Sequence, residues 1–85
     1  MEKNILACCR EEKLEDRNYL WYYDNTLVME LYDFCFYAYS EPFRMRLVRF
    51  LRKNNIMFKE QFDEKKNPFY QITEKGLDRL ILLSR

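Results

Sequence analysis

Five basic side chains within ten positions, Arg44, Arg46, Arg49, Arg52 and Lys53, are the densest concentration of chemistry in this 85-residue chain. From Phe43 through Lys59 there are six basic residues and no acidic one. A solvated helix gains from opposite charges at i,i+4, so a run of one sign forgoes that pairing and adds repulsion unless an anion faces it. Arginine fills four of the five positions, and its planar fork binds phosphate oxygens or a guanine edge through two parallel donors, which a lysine cannot do. Three anions would serve: a phosphate backbone, the acidic N-terminal half of this chain, or an acidic protein.

Composition removes most other chemistry. There is no histidine, hence no imidazole base, no Ser-His or Cys-His nucleophile pair and no imidazole zinc site. A single glycine excludes the phosphate-cradling and dinucleotide-binding loops, which need several. Glu11, Glu12, Glu15 and Asp16 form an acidic run whose default is pairing with lysine or solvent, so no catalysis is expected. Cys8, Cys9 and Cys35 admit two readings, a three-thiolate site for a soft metal or three small buried apolar residues. Without a fourth ligand the second is favoured, and no cofactor is expected.

The formal charge of +1 hides a division. Residues 1–42 carry nine acidic groups against four basic, and residues 43–85 carry eleven basic against five acidic. Such asymmetry indicates an electrostatic partner, or halves that attract each other within or between chains. No uncharged stretch is longer than Phe34 to Ser40, which is far too short to span a bilayer, and the apolar stretch at Ile5 and Leu6 is too short for a signal peptide. The expectation is a soluble cytoplasmic protein with no membrane partner and, at this cysteine count, no disulfide framework.

The elements that must hold the arginines follow from spacing. Residues 2–16 read as a weakly amphipathic helix, and Asn18 to Tyr23 as a short strand or the run-in to a second helix. Asp24, Asn25 and Thr26 are successive N-cap candidates; behind them Leu27, Leu31, Phe34, Cys35 and Ala38 recur at helical spacing, which predicts a buried central helix over 26–39. Ser40 as N-cap and Pro42 in the first turn open the basic helix, with Phe43, Leu47, Phe50 and Leu51 on its apolar side and Asn54-Asn55 as its stop. Ile56 to Phe62 and Phe69 to Ile72 read as a hairpin with a long polar turn, and Thr73 caps a last helix over 74–83. The predicted class is mainly α with one β-hairpin (α+β), residues 1–85 forming a single domain: an acidic, aromatic helical part over 1–40 and the basic helix, hairpin and C-terminal helix over 41–85.

The segment Tyr70-Gln71-Ile72-Thr73-Glu74-Lys75-Gly76-Leu77-Asp78-Arg79-Leu80 resembles the strand-to-helix junction of PadR-like and archaeal winged-helix proteins, Y-x-[LI]-T-x-K-G-x-x-x-L. Upstream, Val48, Leu51, Asn55 and Ile56 resemble the end of the recognition helix in that family, with Asn55 where glycine is usual. The resemblance covers residues 43–83, and implies a winged helix-turn-helix in which the hairpin is the wing. It implies a small non-catalytic DNA-binding protein, a regulator acting as a homodimer on double-stranded DNA. Arg44, Arg46, Arg49, Arg52 and Lys53 would then line the recognition helix, with Lys59, Lys65 and Lys66 on the wing against phosphate or minor groove.

Aromatic enrichment over 19–39 supports a second reading, a protein-interaction module or virus-encoded inhibitor that docks its basic helix on an acidic or nucleic-acid-binding partner. Tyr19, Trp21, Tyr22, Tyr23 and Tyr37, with Leu80 and Leu83 of the last helix, are the candidate interface anchors. A tyrosine-rich core with hydroxyls at the surface accounts for the same residues.

Overall fold

The C-terminal half forms the elements its local signals specify. The computed structural model describes residues 4–84. Helix α1, Glu41–Lys53, begins after Ser40 with Pro42 in its first turn. It ends at Asn54, and Asn55 takes the left-handed conformation at φ 56°. The Asn55 amide donates to the Arg52 carbonyl at 3.2 Å and the Ile56 amide to the Leu51 carbonyl at 2.9 Å. Those two bonds, with Leu51 and Ile56 both buried, make a Schellman ending in which asparagine does the work of glycine.

Strands β5, Phe58–Phe62, and β6, Pro68–Ile72, pair antiparallel through a five-residue turn. Asp63 organises that turn, its Oδ1 accepting from the amides of Lys65 at 2.9 Å and Asn67 at 2.8 Å. Helix α2, Glu74–Leu83, is capped by Thr73, whose Oγ1 accepts from the Gly76 amide at 3.0 Å. A Cβ on Gly76 would sit 3.2 Å from both Ile56 Cγ2 and Thr73 Oγ1, which is why the one glycine of the chain stands there.

The two caps differ. Ser40 occupies its N-cap position, yet its hydroxyl makes no cap bond and lies buried without a hydrogen-bond partner among the described residues. Thr73→Ala is therefore expected to cost about 1 kcal/mol and Ser40→Ala about zero or a slight gain, read from urea midpoints.

The N-terminal half corrects the predicted class. It is not helical: residues 26–39 form two strands, β3 over Thr26–Tyr32 and β4 over Cys35–Ala38. Strand β2 is Tyr19–Tyr23 and β1 is Arg10–Lys13. The expected helix over 2–16 is replaced by a 3-10 turn at Ile5–Cys8 and by β1; its first two positions lie outside the described residues. The six strands of the described residues form one antiparallel sheet in the order β1-β2-β3-β4-β6-β5, so the protein is a β-rich α+β fold rather than mainly α. Among the described residues no α-helix precedes α1 to complete a helix-turn-helix, and the hairpin is no free wing, since β6 pairs with β4.

Two turns explain the difference. Asp24 and Asn25, at φ 52° and 63°, form the two-residue link between β2 and β3; Asp33 and Phe34, at φ 51° and 62°, form the link between β3 and β4. Both have the left-handed pair that matches strand twist, usually supplied by Asn-Gly or Asp-Gly. Here the second position is Asn or Phe, so the hairpin signal is absent from the sequence. Phe34 packs against the core, and its carbonyl accepts from the Ile72 amide at 2.9 Å, so packing and a cross-sheet bond offset its unfavourable backbone.

Both helices cover one face of the sheet. Trp21, Met29, Leu31, Phe36, Tyr70 and Ile72 project from the strands to meet Leu47 and Leu51 of α1 and Leu77 and Leu80 of α2 in a single cluster. Trp21 stacks on Tyr19 and Phe36 with ring centres 5.5 and 5.4 Å away, and its indole N–H donates to Glu11 at 3.3 Å. A shift of register between Trp21 and Tyr22 bends β2 against β3 and lets neighbouring Val28 and Met29 both turn inward. Arg17 ties the turn after β1 to α2 through Glu74 at 3.2 Å and through Asp78.

Candidate functional site

The arginines of α1 do not share one face. At about 100° per residue, Arg44, Val48 and Arg52 turn toward the β5–β6 hairpin, while Arg46 and Lys53 lie on the other flank within about 20° of each other. Leu47 and Leu51, fully buried, anchor the helix between these flanks. Arg46 lies close enough to Cys9 to oppose the rise in its thiol pKa, which burial and the neighbouring Cys8 produce.

On the hairpin side a groove of about 350 Å³ runs between α1 and edge strand β5. Arg44, Arg49 and Arg52 line it, with Met45 and Val48 as an apolar strip on the helix. The opposite wall carries Glu60 and Tyr70, which face each other across the β5–β6 pair. Tyr70 is buried, and its proton is held more tightly than usual: desolvation and the Glu60 carboxylate raise its pKa, Arg44 and Arg52 oppose the rise, and a hydrogen bond to Glu60 adds to it. Glu60 and Tyr70 thus stand side by side on the groove wall, with the carboxylate close enough to hold the phenol proton. Arg52 lies over the Phe58 ring, 5.7 Å from its centre, and Phe58 meets Tyr70 edge-on at 5.6 Å. Arg44 and Arg52 already outnumber the single carboxylate and leave the groove positive. Among the described residues Arg44, Arg46, Arg52 and Lys53 make no ion pair.

The remaining basic candidates lie apart. Lys59 pairs with Gln71, on the side of the sheet opposite buried Tyr70, and so faces away from α1. Lys65 and Lys66 are exposed at the hairpin tip. Of the aromatic and leucine candidates, Tyr19, Trp21 and Leu80 lie within the core at 5%, 0% and 0% exposure. Tyr23 is exposed and packs on Phe43; Leu83 is exposed at the end of α2. Tyr22 and Tyr37 stand on the sheet face turned away from the helices, Tyr22 beneath Arg10 at 4.4 Å and Tyr37 stacked on Phe69 at 5.2 Å. Sequence reasoning missed Met45, Glu60 and Tyr70. The alternation within the hairpin was the available signal, since it sets Glu60 and Tyr70 on the face that α1 covers.

Cys35 occupies the outward row opposite Gln71, whereas Cys9 packs against the core and its thiol donates to the Ile5 carbonyl at 3.4 Å. Among the described residues no group of three or more Cys, Asp or Glu could hold a metal ion, and no helix is long and apolar enough to cross a membrane.

On the outward face the Tyr39 hydroxyl donates to Glu30, and its pKa is pushed up to about 12, chiefly by that bond and then by desolvation. Because the folded value lies above the ordinary value of 10.0, this contribution to stability is complete below pH 10 and is lost as pH rises toward 12. Absorbance titration of tyrosinate is expected to lose its last step in Tyr39→Phe.

The fold and the groove define a two-layer α+β protein with an arginine-lined cleft beside an edge strand. Comparison of the chain with protein-family models, with curated proteins and with solved structures gives no match.

Proposed function

We propose that the protein is a small non-catalytic nucleic-acid-binding protein that contacts double-stranded DNA through α1, with Lys65 and Lys66 at the hairpin tip as flanking phosphate contacts. The observation that carries this reading is the single-sign surface of α1 beyond its first turn: Arg44, Arg49 and Arg52 converge beside the hairpin, Lys53 and Arg46 follow on the other flank, and acidic residues are absent from Phe43 through Lys59. Helix α1, 13 residues and about 20 Å long, has the diameter of about 10–12 Å that a major groove about 12 Å wide admits. Exposed Arg49, Arg52 and Lys53 are the side chains able to reach phosphate or base edges. From the winged-helix resemblance only the local unit of α1, hairpin and α2 is carried over, with its Thr73–Gly76 junction; the helix-turn-helix is not part of the proposal. Titration of a labelled duplex by anisotropy at low and moderate salt tests it. Binding that weakens steeply with salt is expected, and no binding at low salt overturns the reading.

A second reading, a protein interface that also joins two copies in a homodimer, is favoured by the outward sheet face. Tyr32 is 58% exposed there, and Tyr22 of β2, Tyr37 of β4 and Phe69 of β6 stand on the same face. Sedimentation of wild type and Tyr37→Glu tests it: a dimer dissociated by the substitution supports this reading, and a monomer at high concentration removes the homodimer.

A further inference from the structure

We infer that the groove between α1 and β5 holds a single nucleotide bearing an exocyclic amine, with its phosphate on the guanidiniums and its base amine on Glu60. The inference rests on the nucleic-acid reading and deepens it by naming what the cleft beside the helix recognises. Four features meet in that groove. Arg44, Arg49 and Arg52 supply two-point donors for phosphate oxygens. Met45 and Val48 form an apolar strip against which a planar base can lie. Glu60 offers an exposed acceptor on the groove wall, opposite Tyr70 in the β5–β6 pair. The volume of about 350 Å³ falls at the small end of ligand pockets, which run from about 300 to 1,000 Å³, and far exceeds one phosphate group.

A phosphate site alone gains nothing from a carboxylate, which repels the anion. A base with an amino group uses it, because a carboxylate accepts from the N4 amine of cytosine. The O4 carbonyl of uracil in the same place sets two acceptors against each other and leaves Glu60 desolvated without a donor. The groove should therefore separate cytidine from uridine monophosphate, two ligands that differ at that position.

The test titrates the full chain with cytidine monophosphate, uridine monophosphate and inorganic phosphate, following backbone amides of α1 and β5 by NMR. Blunt duplex and duplex with a one-nucleotide 3′ dC overhang are measured in parallel. Cytidine monophosphate is expected to bind about tenfold tighter than uridine monophosphate, in line with the net worth of one solvent-exposed hydrogen bond. In exposed Glu60→Gln that preference should collapse while the fold is kept. Tighter binding of the overhang than of the blunt duplex assigns the nucleotide to a strand end; equal binding of the two duplexes, with cytidine monophosphate still preferred, assigns it to a free nucleotide. If blunt duplex binds but the two nucleotides and phosphate are indistinguishable, or Glu60→Gln leaves the preference intact, the inference fails and the DNA reading stands. If nothing binds, including duplex at low salt, both fail.

Discussion

Replacing Arg49 and Arg52 together by glutamate is expected to lower affinity for duplex DNA by about two orders of magnitude or more, since a single arginine contact to nucleic acid is worth about 1–3 kcal/mol and each reversal also adds repulsion. Both side chains are exposed on α1, and both line the groove beside β5. The helix is held by Leu47 and Leu51 on its opposite side, so far-UV circular dichroism should be unchanged. Lys59→Glu supplies the matched control. It changes the same net charge per site but lies on the sheet face turned away from α1, and it should leave affinity within about twofold. Equal losses from both variants would mean that overall charge, not the placement of the α1 arginines, drives association.

Trp21→Ala is expected to cost about 3–5 kcal/mol, the usual range for removing a large buried aromatic side chain. Trp21 is fully buried, stacks between Tyr19 and Phe36, and bonds Glu11 of the edge strand, so its loss opens the centre of the sheet and frees β1. A chain of this length has a total stability on the order of 5–10 kcal/mol, so the variant should be substantially unfolded near 37 °C. Because Trp21 belongs to the core of one chain, the destabilisation should not depend on protein concentration. A loss under about 1 kcal/mol, or one that disappears on raising the concentration, would place the indole at an interface. Tyr32→Ala, on the outward face, should cost less than about 1 kcal/mol.

These two expectations come from halves of the chain that were unequally legible. Over 41–83 each boundary has a local cause written in the sequence: Pro42 in a first turn, Asn54-Asn55 at a helix stop, a polar turn around Asp63, Thr73 three residues before Gly76. Those signals act between near neighbours, and the structure places α1, the hairpin and α2 where they point. Over 5–38 the decisive contacts are between strands. Leu27, Leu31, Phe34, Cys35 and Ala38 happen to recur at helical spacing, while the residues that turn inward are Val28, Met29, Leu31 and Phe36, whose alternation is broken by the register shift beside Trp21. Without glycine at Asn25 or Phe34, nothing local announced the two hairpins. The excess of aromatic residues there was the one sign of strand preference.

The candidate site was legible in part. The arginines and their helix could be read directly, but spacing alone does not say which flank of the helix the hairpin meets. The structure divides them between two flanks and adds Glu60 and Tyr70 from the hairpin to one flank. Lys59 leaves the set because a strand alternates its side chains between faces, a rule that operates only once the pairing with β6 is known.

The salt dependence of duplex binding tests the central claim most directly. Log affinity should fall linearly with log salt concentration, and the magnitude of the slope should drop by about one in Arg52→Met, as one phosphate contact and its released counterion are removed. A slope near zero, or one that Arg52→Met leaves unchanged, would contradict the assignment of α1 as the nucleic-acid-binding surface.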